Sequence, residues 1–157
     1  MKKLFFLLLL TCYSLDSFSQ RGTTHDGPSL ASTLEWVSTN VVNVYINDTL
    51  NYRQKFTYDL ENECQCRFTV SSIYPNGFLS KEYTFNFGNI DPNSIRLEQR
   101  DSYSYIQLKS YEENAAIRVA QENIVENSPE LTIYDKSSEN ATRLIRAFVH
   151  IANLCKK

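Results

Sequence analysis

The sequence predicts an α+β domain: an antiparallel sheet or partly open barrel of about seven strands, with a helix before it and a capping helix after it. Three observations carry this. Ala141, Leu144, Ile145, Phe148, Ile151, Ala152 and Cys155 recur at the three- and four-residue spacing of one helix face. Between residues 53 and 135, short runs alternate apolar and polar side chains and are divided by turn residues. Near the start, Leu30, Leu34, Val37 and Val41 show helical spacing again, with Trp36 beside them.

Residues 20–28 contain two glycines and no large apolar side chain, so they read as a flexible lead. Ser29 stands where a helix cap is wanted, and the spacing predicts a helix over 30–41. Val42, Val44 and Ile46 then alternate as a strand would, which puts a switch from helix to strand near Asn43. A first long strand is expected over 53–60 and a second over 63–73, with Cys64, Cys66, Phe68 and Val70 sharing one face. Pro75-Asn76-Gly77 supplies a turn, and residues 79–87 follow with Tyr83, Phe85 and Phe87 inward. Ile95 and Leu97, Ile106 and Leu108, Ile117 and Val119, and Leu131 and Ile133 mark four more strands, with a hairpin turn at Arg100-Asp101-Ser102. The polar interval 121–130 reads as a loop. The last helix is expected over 138–155, capped by Ser137 or Ser138, with Glu139 in its first turn where negative charge is favoured. Alone it would be marginal in water, so its apolar stripe must cover the sheet.

Ahead of the domain, Lys2 and Lys3, the apolar run Leu4–Leu10 and the small-residue stretch Ser17-Phe18-Ser19 have the order of a secretory signal, with residues 1–19 removed. The apolar run is far short of the roughly 20 residues that span a membrane. A second reading makes Cys12 a lipidated N-terminus, although Thr11 is a poor residue before such a cysteine. The leader resembles bacterial ones. Its removal takes Lys2, Lys3 and Asp16 away, so the 16 basic and 18 acidic residues become 14 and 17, the basic ones scattered singly along the chain, and residues 29–157 read as one domain. Such a surface offers no clustered basic patch for nucleic acid or an anionic membrane. The sequons at Asn47 and Asn140 carry little weight behind a bacterial-looking leader.

Strands closed off by a C-terminal helix resemble the layout of the pleckstrin-homology-like superfold over roughly residues 50–155. The ending Ala147–Cys155 resembles the tails of uncharacterised secreted bacterial domains. The first resemblance implies a fold, and the second implies no activity. Lipid-binding members of the superfold place a basic cluster between their first strands, whereas this chain has Asp59, Glu61 and Glu63, so phosphoinositide binding is not implied.

Three cysteines follow the leader. Cys64, Cys66 and Cys155 allow one disulfide, from Cys155 to Cys64 or Cys66, or buried thiols packing as small apolar groups. A metal site is not expected, because His25 lies in the lead and His150 faces away from the Cys155 stripe. Arg143, Arg146 and His150 form a basic row on the outer face of the last helix. Neither a nucleophile–base motif nor a phosphate-cradling glycine loop is present, and Glu112-Glu113 is a poor acid/base pair, so no catalytic residue and no cofactor are expected. Tyrosine is the unusual residue, nine of the chain's ten lying beyond the leader. Tyr103 and Tyr105 fall opposite Ile106 and Leu108, and Tyr134 opposite Leu131 and Ile133, with Tyr45 and Tyr58 as further members. Such rings offer rigid apolar area with a polar tip, a binding face for an unknown protein or small ligand. The expected function is therefore an exported, non-catalytic binding domain. A hydrolytic enzyme with a site of scattered residues, and a structural envelope lipoprotein anchored through Cys12, are the competing readings.

Overall fold

The computed structural model describes residues 27–47, 50–74, 77–100, 103–111 and 117–156. The leader, Cys12, His25, the Asp48-Thr49 half of the first sequon, the Asp101-Ser102 turn and Glu112-Glu113 lie outside the described residues. In chain order the elements are α1 (Leu30–Asn40), β1 (Val44–Asn47), β2 (Leu50–Tyr58), β3 (Gln65–Tyr74), β4 (Gly77–Asn86), β5 (Arg96–Arg100), β6 (Tyr103–Lys109), β7 (Ile117–Gln121), β8 (Ile124–Ser128), β9 (Glu130–Asp135) and α2 (Ser138–Cys155). Single 3-10 turns at Phe87–Asn89 and Pro92–Ser94 occupy the expected loop after β4.

All strand pairs are antiparallel, in two open sheets: β1-β2-β3-β4-β7-β8 and β5-β6-β9. The α+β class holds, as sheets rather than a barrel, with nine strands among the described residues instead of about seven. Both outer strands of the larger sheet account for the difference. The interval 121–130 is corrected from loop to strand, since β8 pairs with β7 across the two-residue turn Glu122-Asn123, where Glu122 has φ 52. β8 hides neither face from water, so it carries no alternation for a sequence reading to find.

Both helices begin where the sequence places caps. Ser29 Oγ accepts from the Ser32 N–H at 3.2 Å, and Ser137 Oγ from the Asn140 N–H at 3.2 Å. α2 buries Ala141, Leu144, Phe148, Ile151, Ala152 and Cys155 against α1, the 87–89 turn and the smaller sheet. Phe56, Phe87 and Phe148 meet in the centre, with ring centroids 5.8–6.3 Å apart. Each such side chain contributes about 1.5–3 kcal/mol by leaving water.

Of the two disulfides the sequence allows, the structure has Cys64–Cys155, with Cα atoms 5.7 Å apart and a sequence separation of 91. Cys64 sits in the turn before β3 rather than in the strand, and so reaches the end of α2. Closing a loop of this length stabilises by up to about 4–5 kcal/mol in the chain-entropy model. Cys66 stays a buried thiol, and burial pushes its pKa well above the ordinary value. Gly88 lets the helix end settle on the turn below it, because a Cβ there would stand 2.7 Å from the Cys155 carbonyl oxygen. At the other end of α2, buried Asp135 accepts from the Ser137 N–H at 2.7 Å and from Asn140 Nδ2 at 2.6 Å. Asn140 Nδ2 also donates to the Asn40 carbonyl at 3.1 Å, so the second sequon's amide nitrogen joins β9, α2 and α1.

Candidate functional site

Along β2, β3 and β4 the residues on the core-facing side change character in step. Paired across the strands, Phe56, Phe68, Cys66 and Phe85 occupy one end, while Tyr52, Ser72, Val70, Leu79 and Lys81 occupy the other. The first group is sealed. The second walls a cleft of about 210 Å3 that is completed by Thr132 and Tyr134 of β9. Tyr52 lies flat on Tyr134, with ring centroids 3.8 Å apart and planes within 3°.

Lys81 is the unexpected member. It stands on a central strand, opposite buried Val70 and on the same face as Phe85, half-buried. No ion pair or hydrogen bond engages it among the described residues. Lysines seldom occupy such positions unpaired, because burial penalises an ammonium that lacks a partner. Next to it on the same face, Tyr83 has its pKa raised, first by burial and then by the charge of Glu126 across β7.

The cleft exists because β9 meets the larger sheet edge-on. Gln54, 7 % exposed on the inner face of β2, grips that edge. Its Oε1 accepts from the Tyr134 N–H at 2.8 Å, and its Nε2 donates to the Tyr134 carbonyl at 2.8 Å and the Val42 carbonyl at 2.9 Å. The side chain thus serves as one residue of an additional strand. At the far end of β9, Ser128 Oγ donates to the Glu130 carbonyl at 2.8 Å and accepts from the Glu130 N–H at 3.3 Å.

The tyrosines singled out in the sequence come together. Tyr103 lies 6.5 Å from Tyr105 and 5.8 Å from Tyr134, so a run of rings leads from the outer face of the smaller sheet into the cleft. Tyr45 is exposed elsewhere, and Tyr58 packs against the core. Lys81, Gln54 and Thr132 escaped sequence reasoning, although one more step of the Phe85–Tyr83 alternation points Lys81 inward. The basic row on α2 has structural partners. Arg143 pairs with Glu139 at 2.6 Å, and the His150 ring Nε2 lies 2.8 Å from the Pro28 carbonyl oxygen, tying the start of α1 to α2.

A wider recess of about 780 Å3 opens beside the disulfide, lined by Glu61, Glu63, Asn62, Asn86 and Leu60. Its polar walls serve the local turns: Asn86 Oδ1 accepts from the Gly88 N–H, and Asp59 Oδ1 from the Glu61 and Asn62 N–H groups. Among the described residues its lining holds no basic group. No known protein family, curated protein or solved structure matches this chain.

Proposed function

We propose that the chain is an exported, non-catalytic binding domain whose ligand enters the cleft between the two sheets at their tyrosine-lined end. The observation that carries this reading is Lys81, an ammonium with no partner among the described residues, held half-buried on a central strand within a wall of tyrosine rings. A ligand supplying a negative charge would complete that environment, and the rings would cover its apolar body. The volume of about 210 Å3 suits a single ring or side chain, since a cavity of about 150 Å3 suffices for benzene. Export is supported by the signal-like residues 1–19, by the Cys64–Cys155 disulfide and by the lack, among the described residues, of a helix long and apolar enough to cross a membrane. The element order, strands closed by a C-terminal helix, supports the pleckstrin-homology-like likeness as one of layout only.

The test is ligand-observed NMR of benzoate with the full protein. Saturation transfer to benzoate should be strong, should vanish in Lys81→Met and should persist in Arg146→Ala, which alters an exposed charge on α2. Transfer that is absent, or that survives Lys81→Met, removes the cleft from the account. Intact mass of the exported protein checks the leader: a chain beginning at Gln20 is expected, and a lipidated chain beginning at Cys12 would replace the soluble reading with an envelope lipoprotein.

A further inference from the structure

The edge of β9 that faces away from β6 says more about the ligand than charge does. In an antiparallel ladder, a residue's N–H and C=O point to the same side, and residues two apart share that side. The Tyr134 N–H and C=O go to Gln54, so they point away from β6. The uninterrupted register from Ser104↔Asp135 to Lys109↔Glu130 then makes the Thr132 N–H and C=O point away from β6 too, on the side of the cleft. Side chains close this edge on both flanks, Gln54 at Tyr134 and Ser128 at Glu130. Between them the Thr132 donor–acceptor pair has no partner among the described residues. An open pair on a strand edge is a template for one more residue of backbone. The neighbouring Tyr134 pair shows how such a pair is filled, by an acceptor and a donor carried side by side on one amide.

We infer that the cleft recognises a single acylated amino-acid unit ending in a free carboxylate. Resting on the cleft as the binding site, this names its ligand class. The amide N–H of the unit donates to the Thr132 carbonyl, one carboxylate oxygen accepts from the Thr132 N–H, and the other meets the Lys81 ammonium. The apolar side chain lies against Tyr52 and Tyr83. Since Gln54 and Ser128 block the edge on either side, only one residue can pair. The unit can come from a free N-acyl amino acid or from the C-terminal residue of a peptide.

The test titrates isotope-labelled full protein with N-acetylphenylalanine and follows the amide resonances. The Thr132 N–H should move downfield as its new hydrogen bond forms. Blocking the ligand's carboxylate as N-acetylphenylalaninamide, or methylating its amide nitrogen, should each weaken binding at least tenfold, as should Lys81→Met. A heptapeptide ending in phenylalanine that binds at least as tightly marks a peptide as the source, and one that binds at least tenfold more weakly marks the free acyl amino acid. If methylation changes the affinity less than twofold, or Thr132 stays still at saturation while benzoate retains its Lys81 dependence, the backbone pairing is wrong and the anion cleft survives. If neither probe depends on Lys81, both fall together.

Discussion

The same two sheets enclose a sealed end and an open end, and the aromatic residues differ between them. Phe56, Phe85, Phe87 and Phe148 fill the end beneath α2, and each is at most 2 % exposed. Tyr52, Tyr83 and Tyr134 line the cleft at the other end, with Tyr103 beside Tyr134. A phenylalanine has no polar atom to satisfy and can be buried whole, whereas a tyrosine suits a wall whose far side reaches water or a ligand. The polar core-facing residues follow the same division. Gln54, Ser72 and Lys81 all lie toward the open end, so β2, β3 and β4 each grade from apolar to polar in the same spatial direction. The deepest burial lies at one end of this fold, and the charge of Lys81 stands at the other.

The largest expected effect tests the sealed end. Phe148→Ala removes a fully buried ring from the junction of α2 with Phe56 and Phe87, and should cost about 3–5 kcal/mol in urea unfolding. Tyr103→Ala, at the open end and half-exposed, should cost about 1 kcal/mol or less. Equal costs would break the division between the two ends.

Next comes the staple. Replacing Cys64 and Cys155 together by serine should cost about 2–4 kcal/mol. Its local signature separates it from a general loosening. Amide exchange should rise in the last turns of α2 and at Phe87–Asn89, while β9 and the cleft residues of β4 keep their relative protection. Uniformly faster exchange would mean that the disulfide supports both ends alike.

Gln54→Leu probes where the ends meet. It strips the edge of β9 of its amide partner and leaves the Tyr134 N–H, the Tyr134 carbonyl and the Val42 carbonyl to find water. A buried group left without its partner costs about 1–3 kcal/mol. Water from the cleft offsets part of this, so a loss of about 2 kcal/mol is expected. The Tyr134 amide should exchange markedly faster with it. Unchanged exchange at Tyr134 would show that the edge is held by other contacts.

What the sequence disclosed follows the same division. α2 was legible to its last residue because one buried face imposes a 3.6-residue period on seven apolar positions. Phe68, Val70, Phe85 and Phe87 were legible because burial on one face imposes alternation. β8 was illegible, with Ile124 and Val125 adjacent and both exposed, 62 % and 56 %, so only its pairing with β7 defines it. The site was half-legible. Tyr103, Tyr105 and Tyr134 drew notice by residue type, but their junction with Tyr52 depends on how two sheets cross, which no local pattern encodes. Gln54 and Lys81 pass by residue type for ordinary polar strand positions, although the alternation through Phe85 and Tyr83 already points Lys81 inward. The choice of Cys64 over Cys66 depended on one side chain standing in a turn.

The smallest effect is a pH dependence at the boundary itself. Tyr83 lies between sealed Phe85 and cleft residue Lys81 on β4, and its pKa is raised from 10.0 by burial first and Glu126 second. Below about pH 10 the phenol is neutral in folded and unfolded chains alike, so it adds no pH dependence there. As the pH rises through that value the unfolded chain releases its proton first. The folded chain then binds more protons, and stability falls with pH. Other tyrosines also ionise in this range, so the informative quantity is the difference between wild type and Tyr83→Phe. Urea midpoints at about pH 9 and about pH 11 should fall further for wild type than for Tyr83→Phe. Glu126→Gln should remove a smaller part of the excess, because burial is the leading cause. If the two proteins lose stability in parallel, Tyr83 is as well hydrated as the tyrosines outside the cleft. The sealed end would then stop at Phe85, one residue pair short of where the burial of Tyr83 places it.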